Sequence, residues 1–151
     1  MRIDGTAFFD VQERHPLSIP ENALPYGRIF EGWAKKIIRI VDYWSGECAI
    51  TKFPNTGLLV ASHIKPWAIS NNKDRLDPYN GLLLSPNYNA LFDRFLISFS
   101  PEGKIMKSDL VDWADLKKLD IQKGVVLDNL TPKHHQFLES HQELMEGKKV
   151  K

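Results

Sequence analysis

The sequence predicts an α+β domain, and three observations carry that prediction. Residues 28–44 repeat apolar side chains at helical spacing. Residues 58–64, 81–84 and 97–99 are short apolar runs of strand length, separated by segments rich in proline, glycine and asparagine. A further amphipathic stretch follows Thr131. Helices at the two ends with clustered short strands between them fit an α+β layout better than an alternating one. At 151 residues, with 42% hydrophobic and 26% charged residues, the chain is long enough for one domain with a sizeable core.

The elements follow in order. Residues 1–26 are broken by Pro16, Pro20 and Pro25 and read as an N-terminal arm, packed through Phe8, Phe9 and Leu17. Residues 27–151 read as a single domain. In 28–44, Phe30, Trp33, Ile37, Ile40, Val41 and Trp44 form one stripe, with Arg28, Lys35 and Arg39 on the opposite face. That basic face is either merely solvated or a phosphate contact. Ser45 and Gly46 stop the helix. Residues 48–51 and 58–64 are expected to pair as a hairpin across the turn at 53–57, with Cys48 packed inside it and no reason for an activated thiol. Residues 65–79 are a polar loop, and 81–84 a further strand. Ser85 and Pro86 then supply the N-cap and first position of a helix running to about Arg94. A hairpin is expected from 97–99 and 104–106 across Gly103, a short helix over 109–119, and a strand at 125–127. The last helix opens with Thr131 and Pro132 and buries Phe137, Leu138, His141, Leu144 and Met145.

The bulk properties exclude several classes. No apolar run approaches the roughly 18 residues of a membrane span, and no signal-peptide pattern opens the chain, so a cytoplasmic setting and no membrane partner are expected. A single cysteine, Cys48, forms no internal disulfide and excludes a multi-cysteine zinc cage. A net charge of +1 neither demands nor forbids nucleic acid. The histidines at 134, 135 and 141 lack the carboxylate spacing of a metal-binding helix, and His141 falls within the apolar stripe as a packing residue.

Chemistry concentrates in residues 58–94. His63 ends an apolar run, Asn80 precedes the next, and Asn89 follows the Ser85-Pro86 helix start. The ordered pieces at 48–51, 61–67 (Ala-Ser-His-Ile-Lys-Pro-Trp), 75–78, 80–86, 91–94 and 97–99 resemble the HNH endonucleases, especially the subgroup carrying Ser-His-Ile-Lys-Pro-Trp. The motif core spans 48–107. The resemblance implies a ββα-metal core, with flanking helices and a β-hairpin, wrapped around one divalent metal. It implies DNA as the partner and phosphodiester hydrolysis as the reaction. Under it, His63 is the general base, a neutral imidazole taking a proton from water. Asn89 is a metal ligand through its side-chain carbonyl oxygen, and the metal is Mg²⁺, with Mn²⁺ or Ni²⁺ able to substitute. Asn80 braces the loop that orients the histidine. Asp93, four residues after Asn89, faces the same way and is either a second ligand or a loop brace. Lys65, Arg75 and Arg94, with Lys35 and Arg39, are the phosphate-contacting candidates. Lys52 and Phe95 stand where the subgroup more often has small, glycine-like residues. A catalytically impaired module that binds DNA or assembles a complex is the competing function. Cutting both strands with one small site would call for a homodimer or a larger restriction complex.

Overall fold

Trp33, Ile37, Ile40 and Trp44 are each nearly inaccessible to solvent and seat the first helix on the rest of the domain. In the computed structural model, which describes residues 24–147 and their side chains from residue 31 onward, that helix is α1, Leu24–Tyr43. It starts inside the segment expected to be an arm. Pro25 falls in the first turn, where no backbone donor is needed, so it does not delay the helix. The packing expected of Phe8, Phe9 and Leu17 lies outside the described residues.

Two small antiparallel sheets follow. Strand β1 (Val60–Ser62) pairs with β2 (Leu82–Leu84), in the register Val60–Leu84, Ala61–Leu83 and Ser62–Leu82. Every residue of both strands is buried, which accounts for their continuous apolar character rather than an alternating one. Helix α1 packs on both strands. Between them run a 3₁₀ turn at Trp67–Ile69 and a short helix α2, Asn72–Leu76, where a featureless loop was expected. Asn71 caps α2 by accepting from the Asp74 amide, which allows this polar stretch to turn helical. After β2 comes helix α3, Pro86–Asp93, packed on β1. The succession β1, loop, β2, α3 makes the ββα core.

The hairpin expected between residues 48–51 and 58–64 does not form. Residues 48–51 are a turn, closed by the Lys52 amide on the Cys48 carbonyl at 3.0 Å. The chain reverses at Lys52, whose φ is +64°. The Cys48 sulfur, fully buried, accepts from the amides of Thr51 and Ser85 at 3.4 Å each, so it serves as an anchor for a bend rather than a strand residue. Burial pushes the Cys48 thiol up, but the hydrogen bonds from Thr51, Ile50 and Ser85 outweigh it and leave the thiol below its ordinary value, contrary to the expectation of an unperturbed cysteine.

Strands β3 (Ile97–Phe99) and β4 (Ile105–Lys107) form the expected second hairpin. Residues 125–127 add only one bridge, Lys104 with Val126, because the chain turns away at Asn129 (φ +61°). The short helix α4 is Trp113–Lys118, starting later than expected because Asp112 caps it through the Asp115 amide. Helix α5, Pro132–Met145, opens on Thr131 as expected and packs against β3. No helix among the described residues is long and apolar enough to cross a membrane.

Gly103 is fixed by two requirements at once. Its φ is +85°, and a Cβ there would lie 1.8 Å from the Leu127 carbonyl oxygen. We expect Gly103→Ala to cost about 3 kcal/mol, from left-handed strain of roughly 1–2 kcal/mol plus forced displacement of Leu127. Lys52→Gly should instead raise stability by up to about 1 kcal/mol, because it relieves the same strain and loses an exposed ion pair with Asp128 and a long hydrogen bond to the Ala49 carbonyl. Urea unfolding midpoints of the two variants check both signs.

Candidate active site

Strand β1 delivers His63 to its end, and α3 brings Asn89 and Asp93 to the same place. All three line one cavity of about 280 Å³, together with Ala61, Pro66, Trp67, Phe92, Phe95 and His141 among others. Asn89, Phe92 and Asp93 stand at i, i+3 and i+4, so one face of α3 supplies an amide oxygen, a ring and a carboxylate. The helix is set by Pro86 at its first turn. Ser85 occupies the N-cap position, although its hydroxyl bonds Asn87 Oδ1 at 2.8 Å rather than a helix amide.

The His63 ring is held by aromatic side chains. Trp33 of α1 stacks on it, nearly parallel at 14° with centroids 6.3 Å apart. Trp67 leans against it at 59° and 5.7 Å, so this tryptophan is a buried wall of the site. At Nδ1 the ring meets a residue the sequence reading did not single out. Lys36 of α1, 1% exposed, places Nζ 3.0 Å from His63 Nδ1 and donates to the Arg75 carbonyl at 2.8 Å. Burial pulls the Lys36 amine down to about 7, against the opposing pull of Asp77 and Asp74. The signal was present in the sequence. Position 36 lies three residues after Trp33 and four before Ile40, on the buried stripe, while its neighbour Lys35 faces out.

Asn80 lies behind the loop, fully buried. Its Oδ1 accepts from the Lys65 amide at 2.7 Å, and its Nδ2 donates to the Asp74 carbonyl at 3.0 Å. One side chain thereby ties the segment just after His63 to α2. Ser70 adds a bond from its hydroxyl to the Pro66 carbonyl at 2.8 Å.

The basic candidates divide into two groups. Lys65 pairs with Asp74 at 3.4 Å, both partners mostly buried. Arg75 donates through Nε to the Trp67 carbonyl at 3.0 Å, and its guanidinium sits 4.7 Å from the Trp67 ring centre. These two cations are built into the loop. Arg94 is exposed and donates to the Ala90 carbonyl. Lys35 and Arg39 are exposed on the outer face of α1 and do not line the cavity.

His141 and His134 are structural. The His141 Nε2–H donates to the Phe92 carbonyl at 2.7 Å, so its Nδ1 accepts from the Ser98 hydroxyl at 2.8 Å, and the ring stacks on Phe92 at 3.7 Å. His134 accepts the Thr131 amide at 3.0 Å among Tyr43, Trp44 and Tyr79. Burial lowers both imidazoles to about 4.

The donor set suits a hard cation in part. Asn89 and Asp93 offer oxygen ligands on one helical face, as a hydrated Mg²⁺-type ion requires. Among the described residues no group of three or more His, Cys, Asp or Glu side chains is disposed to hold a metal, so such an ion would keep most of its waters.

Comparison with known families gives one finding. Residues 48–100 match the family model described as HNH endonuclease, a span holding His63, Asn80, Asn89 and Asp93 but not Lys36. No curated protein matches the chain.

Two outcomes follow from this packing. Asn80→Ala should destabilise the fold by about 1–3 kcal/mol, since it deprives the Lys65 amide of its acceptor and cuts the bond to the Asp74 carbonyl, which keeps only the Asp77 amide; thermal or urea unfolding measures it. His134 and His141 bind protons less readily folded than unfolded. Their contribution is therefore complete above about pH 6.5 and is lost as pH falls toward 4, with a slope approaching about 1.4 kcal/mol per pH unit for each. Melting temperatures across that range should fall with acid.

Proposed function

We propose, from the match of residues 48–100 to the HNH endonuclease family model, that this chain is a divalent-metal-dependent endonuclease hydrolysing DNA phosphodiester bonds. The observation that carries the proposal is the convergence of His63, Asn89 and Asp93 on one cavity within the matched span. His63 acts as general base and takes a proton from the attacking water, a step worth about 10²–10⁴-fold. Its direction is held by the Trp33 ring stacked on it and by Trp67 at its side. Asn89 and Asp93 hold the cation through oxygen atoms. The cation, Mg²⁺ with Mn²⁺ or Ni²⁺ as substitutes, offsets charge on the phosphate and on the leaving oxygen. Asn80 does not meet substrate; it holds the loop after His63 in place. Arg94, Lys35 and Arg39 are exposed and free to reach the backbone phosphates. Lys65 and Arg75 contribute positive potential from within the loop, and direct phosphate contact by Lys65 would require it to leave Asp74.

A second reading, a module that grips DNA or a partner without cutting, is favoured by the lack, among the described residues, of a cluster of three or more His, Cys, Asp or Glu side chains that could hold a metal. One experiment separates the two. Incubated with plasmid DNA and Mg²⁺, Mn²⁺ or Ni²⁺, the wild type should nick or linearise it, and EDTA should stop the reaction. His63→Ala should cut at least about 10²-fold more slowly while still binding DNA. Equal, negligible cleavage by both proteins with binding retained would establish the second reading.

A further inference from the structure

Lys36 lies outside the family-matched span, yet its amine is 3.0 Å from the Nδ1 of His63. We propose that Lys36 is a positioning residue that selects the tautomer of His63, and so decides whether the ring nitrogen opposite Lys36 can accept a proton. The inference rests on the reading of His63 as the base.

The geometry permits two arrangements with opposite consequences. Nζ donates one hydrogen to the Arg75 carbonyl in either case. As an ammonium, Lys36 has only donors left, so it must donate to Nδ1, and a neutral His63 then carries its proton on Nε2 and has no lone pair there for water. As a neutral amine, Lys36 has a lone pair that accepts the proton of Nδ1–H, and Nε2 is left as the base. The site keeps these states close in energy. The amine is buried, which disfavours its charge, and its value of about 7 places both forms within the physiological range. Among the described residues the charged and titratable groups bearing on Nζ are His63 itself, the carboxylates of Asp77 and Asp74, and Arg75, whose carbonyl is the fixed acceptor and whose guanidinium is drawn off to Trp67. Asp74 is further engaged by Lys65.

The position of Nζ is also well determined. Trp33, one turn before Lys36, stacks on the same histidine, and α1 meets α2 closely enough that a Cβ on Gly32 would lie 3.1 Å from Leu76. A lysine that merely fastened α1 to α2 would need only the Arg75 carbonyl.

The test reads the histidine directly. Nitrogen-15 spectra of the metal-free full chain distinguish an Nδ1–H ring from an Nε2–H ring. In wild type, His63 should pass from Nε2–H to Nδ1–H as pH rises through about 7. Lys36→Met, of similar shape and with no hydrogen-bonding group, should leave His63 largely as Nε2–H at pH 8. It should lower kcat about 10-fold or more with KM for DNA unchanged, short of the about 10²–10⁴-fold cost of losing the base. Lys36→Gln can give its NH₂ to the Arg75 carbonyl and its oxygen to Nδ1–H, so it should restore Nδ1–H and remove the activity change near pH 7. A His63 tautomer that ignores both pH and Lys36→Met overturns the inference. If Lys36→Met does not fold, the wild-type titration decides alone. A wild type that switches tautomer but cuts no DNA contradicts the nuclease reading while supporting this one.

Discussion

Everything at the candidate site depends on the tie that Asn80 makes across the loop between β1 and β2. The histidine follows directly on a three-residue strand, and a strand that short cannot orient a side chain beyond its own last residue. The segment after it must be held independently. A fully buried amide does this by accepting from the residue-65 amide and donating to the residue-74 carbonyl. Because the Asn80 amide is fully buried, the tie is costly to break. It also holds α2 at Asp74, one residue before the Arg75 carbonyl that receives Lys36. The loop, the histidine and the buried lysine form one connected arrangement.

The second dependency is the burial of the two central strands. With β1 and β2 covered on every residue, the site has a rigid apolar floor and one helix, α3, at its side. The oxygen donors of Asn89 and Asp93 share a face of that helix, and their spacing is therefore set by backbone geometry rather than by a flexible loop. The aromatic rings of Trp33 and Trp67 limit how far the imidazole can rotate. For the proposed hydrolysis, polar groups held in place before substrate arrives are where electrostatic catalysis gains most.

Much of this was legible in the sequence. The period of α1, the proline-marked starts of α3 and α5, and the glycine turn of the second hairpin are local signals, and local signals survive folding. Lys52 and Phe95 stood at positions where glycine-like residues were expected, and both adopt positive φ, +64° and +59°. Strand pairing was less legible. Residues 48–51 look like a strand, but the hydrogen bonds to Cys48 that make them a bend come from Thr51 nearby and Ser85 far along the chain. The partner of β1 lies across the loop, at Leu82–Leu84. Lys36 was missed because a lysine pair at 35–36 suggests a charged surface, although the helical period places the second lysine inside.

In the proposed nuclease, Asn89 and Asp93 hold one divalent ion beside His63. A crystal structure of the full chain with Mn²⁺ and a short DNA duplex tests it most directly, because the anomalous signal locates the ion whether or not cleavage has occurred. A single ion is expected in the cavity, with oxygen atoms of Asn89 and Asp93 at metal–ligand distances of about 2.0–2.6 Å and a phosphate between the ion and His63. An ion bound elsewhere, or a phosphate held at the cavity with no ion on α3, would contradict it.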